Sequence, residues 1–184
     1  MSQYGLILDT ALMRFAHQGI AATTIQDVAD HADVSKASVL YHFSTKEHLV
    51  DEVLAPALAA LTELVSQQQG TSLAETKNRS EFVEAFVNFL LDHRLATHIV
   101  VTHPYLADSI SSLAKANLLM SQLADAVSSA GFGDTERLRF GVAVSGATYA
   151  LVTAGILGVD SLRNEDLRPL LKNVLLQMTS PDHA

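Results

Sequence analysis

An all-helical fold is the expectation for this chain, and three observations predict it. Apolar residues recur three and four positions apart through almost the whole length, which is the spacing of one helical face. The alternating and β-branched runs that mark strands are scarce. The composition is that of a compact chain: 48% of the 184 residues are apolar, against only 9 glycines and 4 prolines. At this length folding buries roughly 70% of the unfolded chain's surface, so a sizeable core needs no disulfide or metal staple.

The elements follow in order. Residues 5–18 predict a first helix with Leu8, Leu12 and Phe15 on one stripe, stopped by Gly19. A short second helix starts at Thr23 or Thr24 and turns Ile25, Val28 and Ala29 inward. Asp33 and Val34 interrupt it, and a third short helix runs from Ser35 to about Tyr41. Ser44 and Glu47 have the S-x-x-E spacing of a capping box, so a fourth helix begins there and extends to about residue 69. The polar stretch GTSLAETKNRS, 70–80, is the clearest loop. Ser80 reads as the N-cap of the next helix, in which Phe82, Phe86 and Phe89 form a stripe with Val83 and Leu90 beside it.

Pro104 breaks that pattern. Asp108 then reads as the cap of a helix through Ile110, Leu113, Met120 and Val127 that stops at Gly131. The segment of about 134–157 is apolar on two faces. Leu138, Val142, Ser145, Tyr149, Val152 and Ile156 form one row, and Phe140, Val144, Ala147 and Leu151 the other. A helix with two buried faces needs two partners. A last helix, about 165–179, carries Leu167, Leu170, Leu171, Val174, Leu175 and Met178 along a broad stripe, with Pro169 tolerable only near its first turn.

Several function classes find no support. With no cysteine, a catalytic thiol, a Cys-ligated zinc and an iron–sulfur cluster are excluded, and the composition suits a reducing compartment. The phosphate loop G-x-x-x-x-G-K-[ST], H-E-x-x-H and G-x-S-x-G are missing, and Gly131-Phe132-Gly133 lacks the third glycine of a dinucleotide loop. His93, His98 and His103, five apart, do not share one helix face, so they read as surface or hydrogen-bonded histidines and no metal is expected. No cofactor and no enzymatic activity are expected. The N-terminus shows neither a basic run nor a long apolar stretch, and no apolar run approaches the ~20 residues of a spanning helix. A cytoplasmic protein without membrane association is the expectation.

Three short helices in fifty residues, the second and third joined by a tight turn, have the pattern of a helix-turn-helix. The wording is more specific. From Ile7 to Leu54 the chain combines A-L-x-x-F-A-x-x-G, T-T-I-x-D-V-A, V-S-K-A-S and Y-H-F-x-x-K-E in order. With these motifs it resembles the N-terminal domain of the tetracycline repressor (TetR) family of transcription regulators. Two positions depart from the family: Asp33 stands where Gly is usual in the turn, and Leu40 where Tyr is frequent. Asp tolerates a left-handed backbone better than most residues, so the turn survives. Loss of the Tyr removes one phosphate hydrogen bond.

The resemblance implies a DNA-binding domain over 1–45 and a ligand-binding and dimerisation domain over 46–184. It puts the third helix in the major groove, with Ser35 as its cap, Lys36 and Ser38 as donors, and small Ala37 near the bases or a thymine methyl. Thr24 and Gln26 are placed at phosphate or base, Tyr41 and His42 at phosphate, and Lys46 in a first helical turn where exposed amides favour an anion. Thr24 and Ser35 also read as plain helix caps, and Tyr41 as part of the core. Charge opposes DNA binding: 20 acids against 12 bases give −8. A dimer doubles every phosphate contact, and neutral donors contribute without charge.

For the remainder, the family implies a homodimer and a bound effector, and the apolar character of the inward residues makes a small, largely apolar effector the expectation. The dimer face is expected on the row Leu138–Ile156 together with Leu171, Val174, Leu175 and Met178. Pocket candidates are the inward residues Phe86, Phe89, Leu90, His93 and Tyr105, followed by Met120, Leu123, Val144, Thr148 and Leu151. The combined expectation is a repressor that binds a pseudo-palindromic double-stranded DNA operator as a dimer. The alternative is a helical protein-interaction module of the same fold that has lost DNA binding.

Overall fold

A computed structural model describes residues 2–68, 70–153 and 162–180, and among them every regular element is helical. The elements are α1 (Gln3–Gln18), α2 (Ile25–His31), α3 (Lys36–Phe43), α4 (Lys46–Ser66), α5 (Thr76–Asp92), α6 (Arg94–Thr102), a 3₁₀ turn at Pro104–Leu106, α7 (Ser111–Ser128), α8 (Asp134–Val152) and α9 (Asn164–Thr179). They fall into two compact units. The first comprises Met1–Ala59 and Leu95–Leu118, the second Ala60–Arg94 and Leu119–Ala184, so α4 and α7 each contribute to both. Ile156 lies outside the described residues.

In the first unit α2 packs on both α1 and α3. The buried stripe of α1 is Ile7, Ala11 and Phe15 with Ala16, whereas Leu8 and Leu12 are only half-buried. The expected stripe was therefore rotated by one position, because Leu and Ile look alike to a periodicity count while only packing chooses between them. Gly19 ends the helix with φ +86, and a Cβ there would stand 3.1 Å from the His103 ring, so both backbone and space call for glycine.

Three expected caps are replaced. Ser44 is the C-cap of α3 at φ +52, and Thr45 caps α4 by accepting the His48 N–H at 3.1 Å. Ser80 lies inside α5, which starts four residues earlier at Thr76 with no side-chain cap. Asp108 gives way to Asp51 of α4, whose carboxylate accepts the Ser112 N–H and the Ser111 hydroxyl, both at 2.8 Å, at the start of α7.

The second unit is organised around α9, which packs on α5 and α8. Phe82, Phe86 and Phe140 form its aromatic centre, with ring centroids 5.6 and 5.5 Å from Phe82. Arg79, expected in a polar loop, is buried; its guanidinium donates to the Leu73 and Ala74 carbonyls and the Thr76 hydroxyl, closing the turn before α5. Pro169 is the sixth residue of α9, beyond its first turn, at a solvent-facing position, and it lacks the N–H that the Glu165 carbonyl would accept in a regular helix. On α7 the buried apolar residues are Leu113, Ala116, Leu119 and Leu123, while Met120 is exposed.

Candidate nucleic-acid interface

The helix-turn-helix is built by local chemistry. Thr24 caps α2: its hydroxyl accepts the Asp27 N–H and donates to the Asp27 carboxylate, which in turn accepts the Thr24 N–H at 2.8 Å. Those bonds hold the Asp27 carboxyl below the usual carboxylate range, so it stays ionised while its Oδ2 serves the cap. Asp30 is likewise engaged, accepting from the Gln26 amide at 2.7 Å. Asp33 occupies the turn at φ +53, the left-handed conformation that a short polar side chain tolerates, and the Val34 N–H closes it on the Ala29 carbonyl. Ser35 caps α3 by accepting the Ser38 N–H at 3.0 Å.

Around α3 the predicted residues divide. Val39 and Phe43 are buried and anchor the helix, whereas Lys36, Ala37, Leu40 and Tyr41 face solvent. Tyr41 is 84% exposed, which rules out its reading as a core residue. The Ser38 hydroxyl donates to the Gln3 side chain at 3.0 Å and braces α3 against α1. The His42 ring lies between Tyr4 and Tyr41, at centroid distances of 5.8 and 5.3 Å. Lys46 is half-buried and donates to the carbonyls of Ile20 and Thr23 at 3.1 and 3.3 Å, tying the α1–α2 turn to the start of α4. This brace was not legible in the sequence, since its partners lie 26 and 23 residues away.

The predicted pocket residues do not gather in one place. Phe86, Leu90, Leu123 and Leu151 are core, and Phe89, His93, Val144 and Thr148 are half-buried. Tyr105 is exposed beside His103 in the first unit. A groove of about 240 Å³ between α7 and α8 is lined by Met120, Leu123 and Val144 with Val127, Arg137, Phe140 and Gly141. The expected dimer row is largely solvent-facing: Leu138, Val142 and Tyr149 on α8, and Val174 and Met178 on α9, are exposed large apolar residues. Ser145 is exposed, Val152 and Leu171 are half-buried, and Leu175 is core. No group of three metal-binding side chains occurs among the described residues, and no described helix is long and apolar enough to cross a membrane.

Comparison with known proteins matches part of the sequence to a family model and the fold to solved structures. The family model of bacterial regulatory proteins, tetR family, fits residues 7–53, which run from within α1 through α2 and α3 into the start of α4. The chain is similar to the HTH-type transcriptional repressor KstR2 of Mycobacterium tuberculosis, 43% identical over 53 residues, 29% of this chain and 26% of that protein. Similarity to the KstR2 repressor of Rhodococcus jostii is 46% over 48 residues, 26% of this chain and 24% of that one. The sequence match thus spans about a quarter of these relatives. The fold likeness covers far more: the solved structure of KstR2 of M. tuberculosis aligns over 96% of this chain and 94% of its own with TM-score 0.64 at 20% identity. That of Mycobacterium smegmatis AmtR aligns over 97% and 86% with TM-score 0.72, also at 20%. The helix-turn-helix thus stands on the residues that match the model of the tetR family of bacterial regulatory proteins, and the likeness of the whole chain to solved regulators is one of fold.

Proposed function

We propose that the chain is a DNA-binding transcriptional repressor that binds a pseudo-palindromic operator as a homodimer and is released by a small, largely apolar effector. The observation that carries the DNA reading is α3: a capped helix whose exposed arc holds Lys36 and Tyr41. Thr24, Gln26, Ser35, Lys36, Ala37, Ser38, Tyr41, His42 and Lys46 form the contact set, with Lys36 and Tyr41 reaching DNA and Ser38 and Lys46 serving first as braces. Enrichment of one half-site motif from a random duplex pool tests it. Lys36→Ala is expected to weaken operator binding about 10-fold and to lower the salt slope by about one; full affinity at two salt concentrations would contradict the assignment. The net charge of −8 favours a second reading, an interaction module of the same fold without DNA binding. Failure of the wild type to enrich any sequence decides for it.

The effector is assigned to the α7–α8 groove, which is chiefly apolar, as small-molecule sites are. Since a ketosteroid regulator shares the fold, steroids belong in the first screening panel. In this reading α4, which begins at the braced Lys46 and ends at Ser66, carries the ligand's effect to the recognition helices. A coupling of ~1–3 kcal/mol would lower operator affinity about 5- to 150-fold. A Cβ at Gly141 meets nothing within 4 Å, so Gly141→Leu fills the groove without a backbone clash. It is expected to abolish the thermal-shift response to screening hits and the release they cause, while operator affinity stays within twofold of wild type. Undiminished release in this variant would move the effector site elsewhere.

A further inference from the structure

We propose that Leu40 is the central base-reading residue of α3 and that it selects thymine through the 5-methyl group. This rests on the DNA-binding reading above.

At roughly 100° per residue, the solvent-facing arc of α3 runs in angular order Lys36, Leu40, Ala37, Tyr41. Its two edges are polar and its middle is apolar. Leu40 is 39% exposed and Tyr41 84%, so these side chains stand free of the unit's core, which α3 reaches through Val39 and Phe43. The other polar side chains of the helix lie away from this middle: Ser38 donates to Gln3, and His42 sits against Tyr4. Lys36 alone carries charge on the arc.

A single exposed leucine is ordinary at a protein surface. Here it occupies the centre of the face with which a recognition helix enters the major groove. Of the chemical groups displayed there, the bases offer hydrogen-bonding atoms and one apolar group, the thymine methyl. Leucine has no donor or acceptor, so opposite guanine, cytosine or adenine it covers their polar edges without a partner, which is costly. Opposite thymine it buries a methyl. Ala37 is three residues before Leu40 and adjoins it on the helix surface, which extends the apolar strip toward the neighbouring base pair. The half-site therefore places thymine beneath the middle of α3, with Lys36 and Tyr41 holding the flanks.

The test begins with the duplex that full-length wild-type protein enriches from a random pool. Each thymine is then replaced in turn by deoxyuridine, which removes the methyl and leaves pairing and O4 unchanged. At one or two positions per half-site, wild-type affinity is expected to fall about 4-fold per methyl at fixed salt. Leu40→Ala, which truncates a side chain outside the core, is expected to bind the parent duplex more weakly and to be indifferent to uracil at those positions. Uracil without effect at every position in the wild type overturns the proposal, as does an undiminished uracil penalty in Leu40→Ala. If the wild type enriches a motif yet ignores uracil, only the role of Leu40 falls. If it enriches none, the DNA-binding reading falls and Leu40 with it.

Discussion

Val142→Asp is expected to convert a dimeric wild type into monomers and to lower operator affinity 100-fold or more. The reason is the apolar surface that one chain leaves uncovered. Leu138, Val142 and Tyr149 on α8 are 69%, 52% and 62% exposed, and Leu170 and Val174 on α9 are 54% and 50% exposed. Residues 138, 142, 145 and 149 follow one another at helical spacing, so these side chains form a strip rather than scattered points. Between α8 and α9 the surface dips into an apolar cavity of about 330 Å³ lined by Val142, Gly146, Leu171, Val174 and Met178. Monomeric proteins rarely expose contiguous apolar patches of this kind.

A two-fold pairing of the same helices covers the strip twice over, because each copy offers the surface the other needs. Gly146 has nothing within 4 Å of its would-be Cβ in one chain, which leaves room for a neighbouring helix. One substitution puts an unpaired carboxylate into both halves of such an interface, at a cost of about 3 kcal/mol or more for each buried charge. The loss of linked half-site binding then removes an avidity gain of roughly 10²–10⁴. Sedimentation of wild type and variant at micromolar concentration, followed by titration of the selected duplex, checks both parts. A monomeric wild type would remove the dimer from the proposal.

Asp51→Ala is expected to lower stability by about 1–2 kcal/mol, the usual cost of a lost helix cap, and the midpoint of thermal unfolding by roughly 2–8 °C. Asp51 lies on α4, yet it serves the first residues of α7, where the Ser112 N–H has no helical partner of its own. Burial pushes the Asp51 carboxyl up, but the hydrogen bonds from Ser112 and Ser111 outweigh that and hold it below its ordinary value. The sign of the pH effect follows. A depressed folded-state value means that the contribution is fully present above the unfolded value of about 3.9 and is lost as pH falls through the folded one. The gap between wild type and Asp51→Ala in urea unfolding should therefore be full at pH 7 and close below about pH 4. A variant as stable as wild type at pH 7 would show that the two bonds contribute nothing net.

The sequence by itself determined the all-helical class, the order of the helices apart from the break at His93 that separates α6 from α5, and most of the helix-turn-helix, including the caps at Thr24 and Ser35. Those features depend on neighbours within four residues, and a helix writes that spacing into the chain. Only the tertiary structure decided that Asp51 caps Ser112 across 61 positions, that Ser38 is held by Gln3, and that Lys46 closes the turn at Ile20 and Thr23. It also decided which of two adjacent apolar stripes each helix buries, turning Ile7 rather than Leu8 into the core of α1 and leaving Met120 outside on α7. The physical reason is that polar groups at helix ends take whichever partner the packed neighbours bring within hydrogen-bonding distance. Apolar side chains in turn are assigned by close packing, and no count along a single strand of sequence contains either.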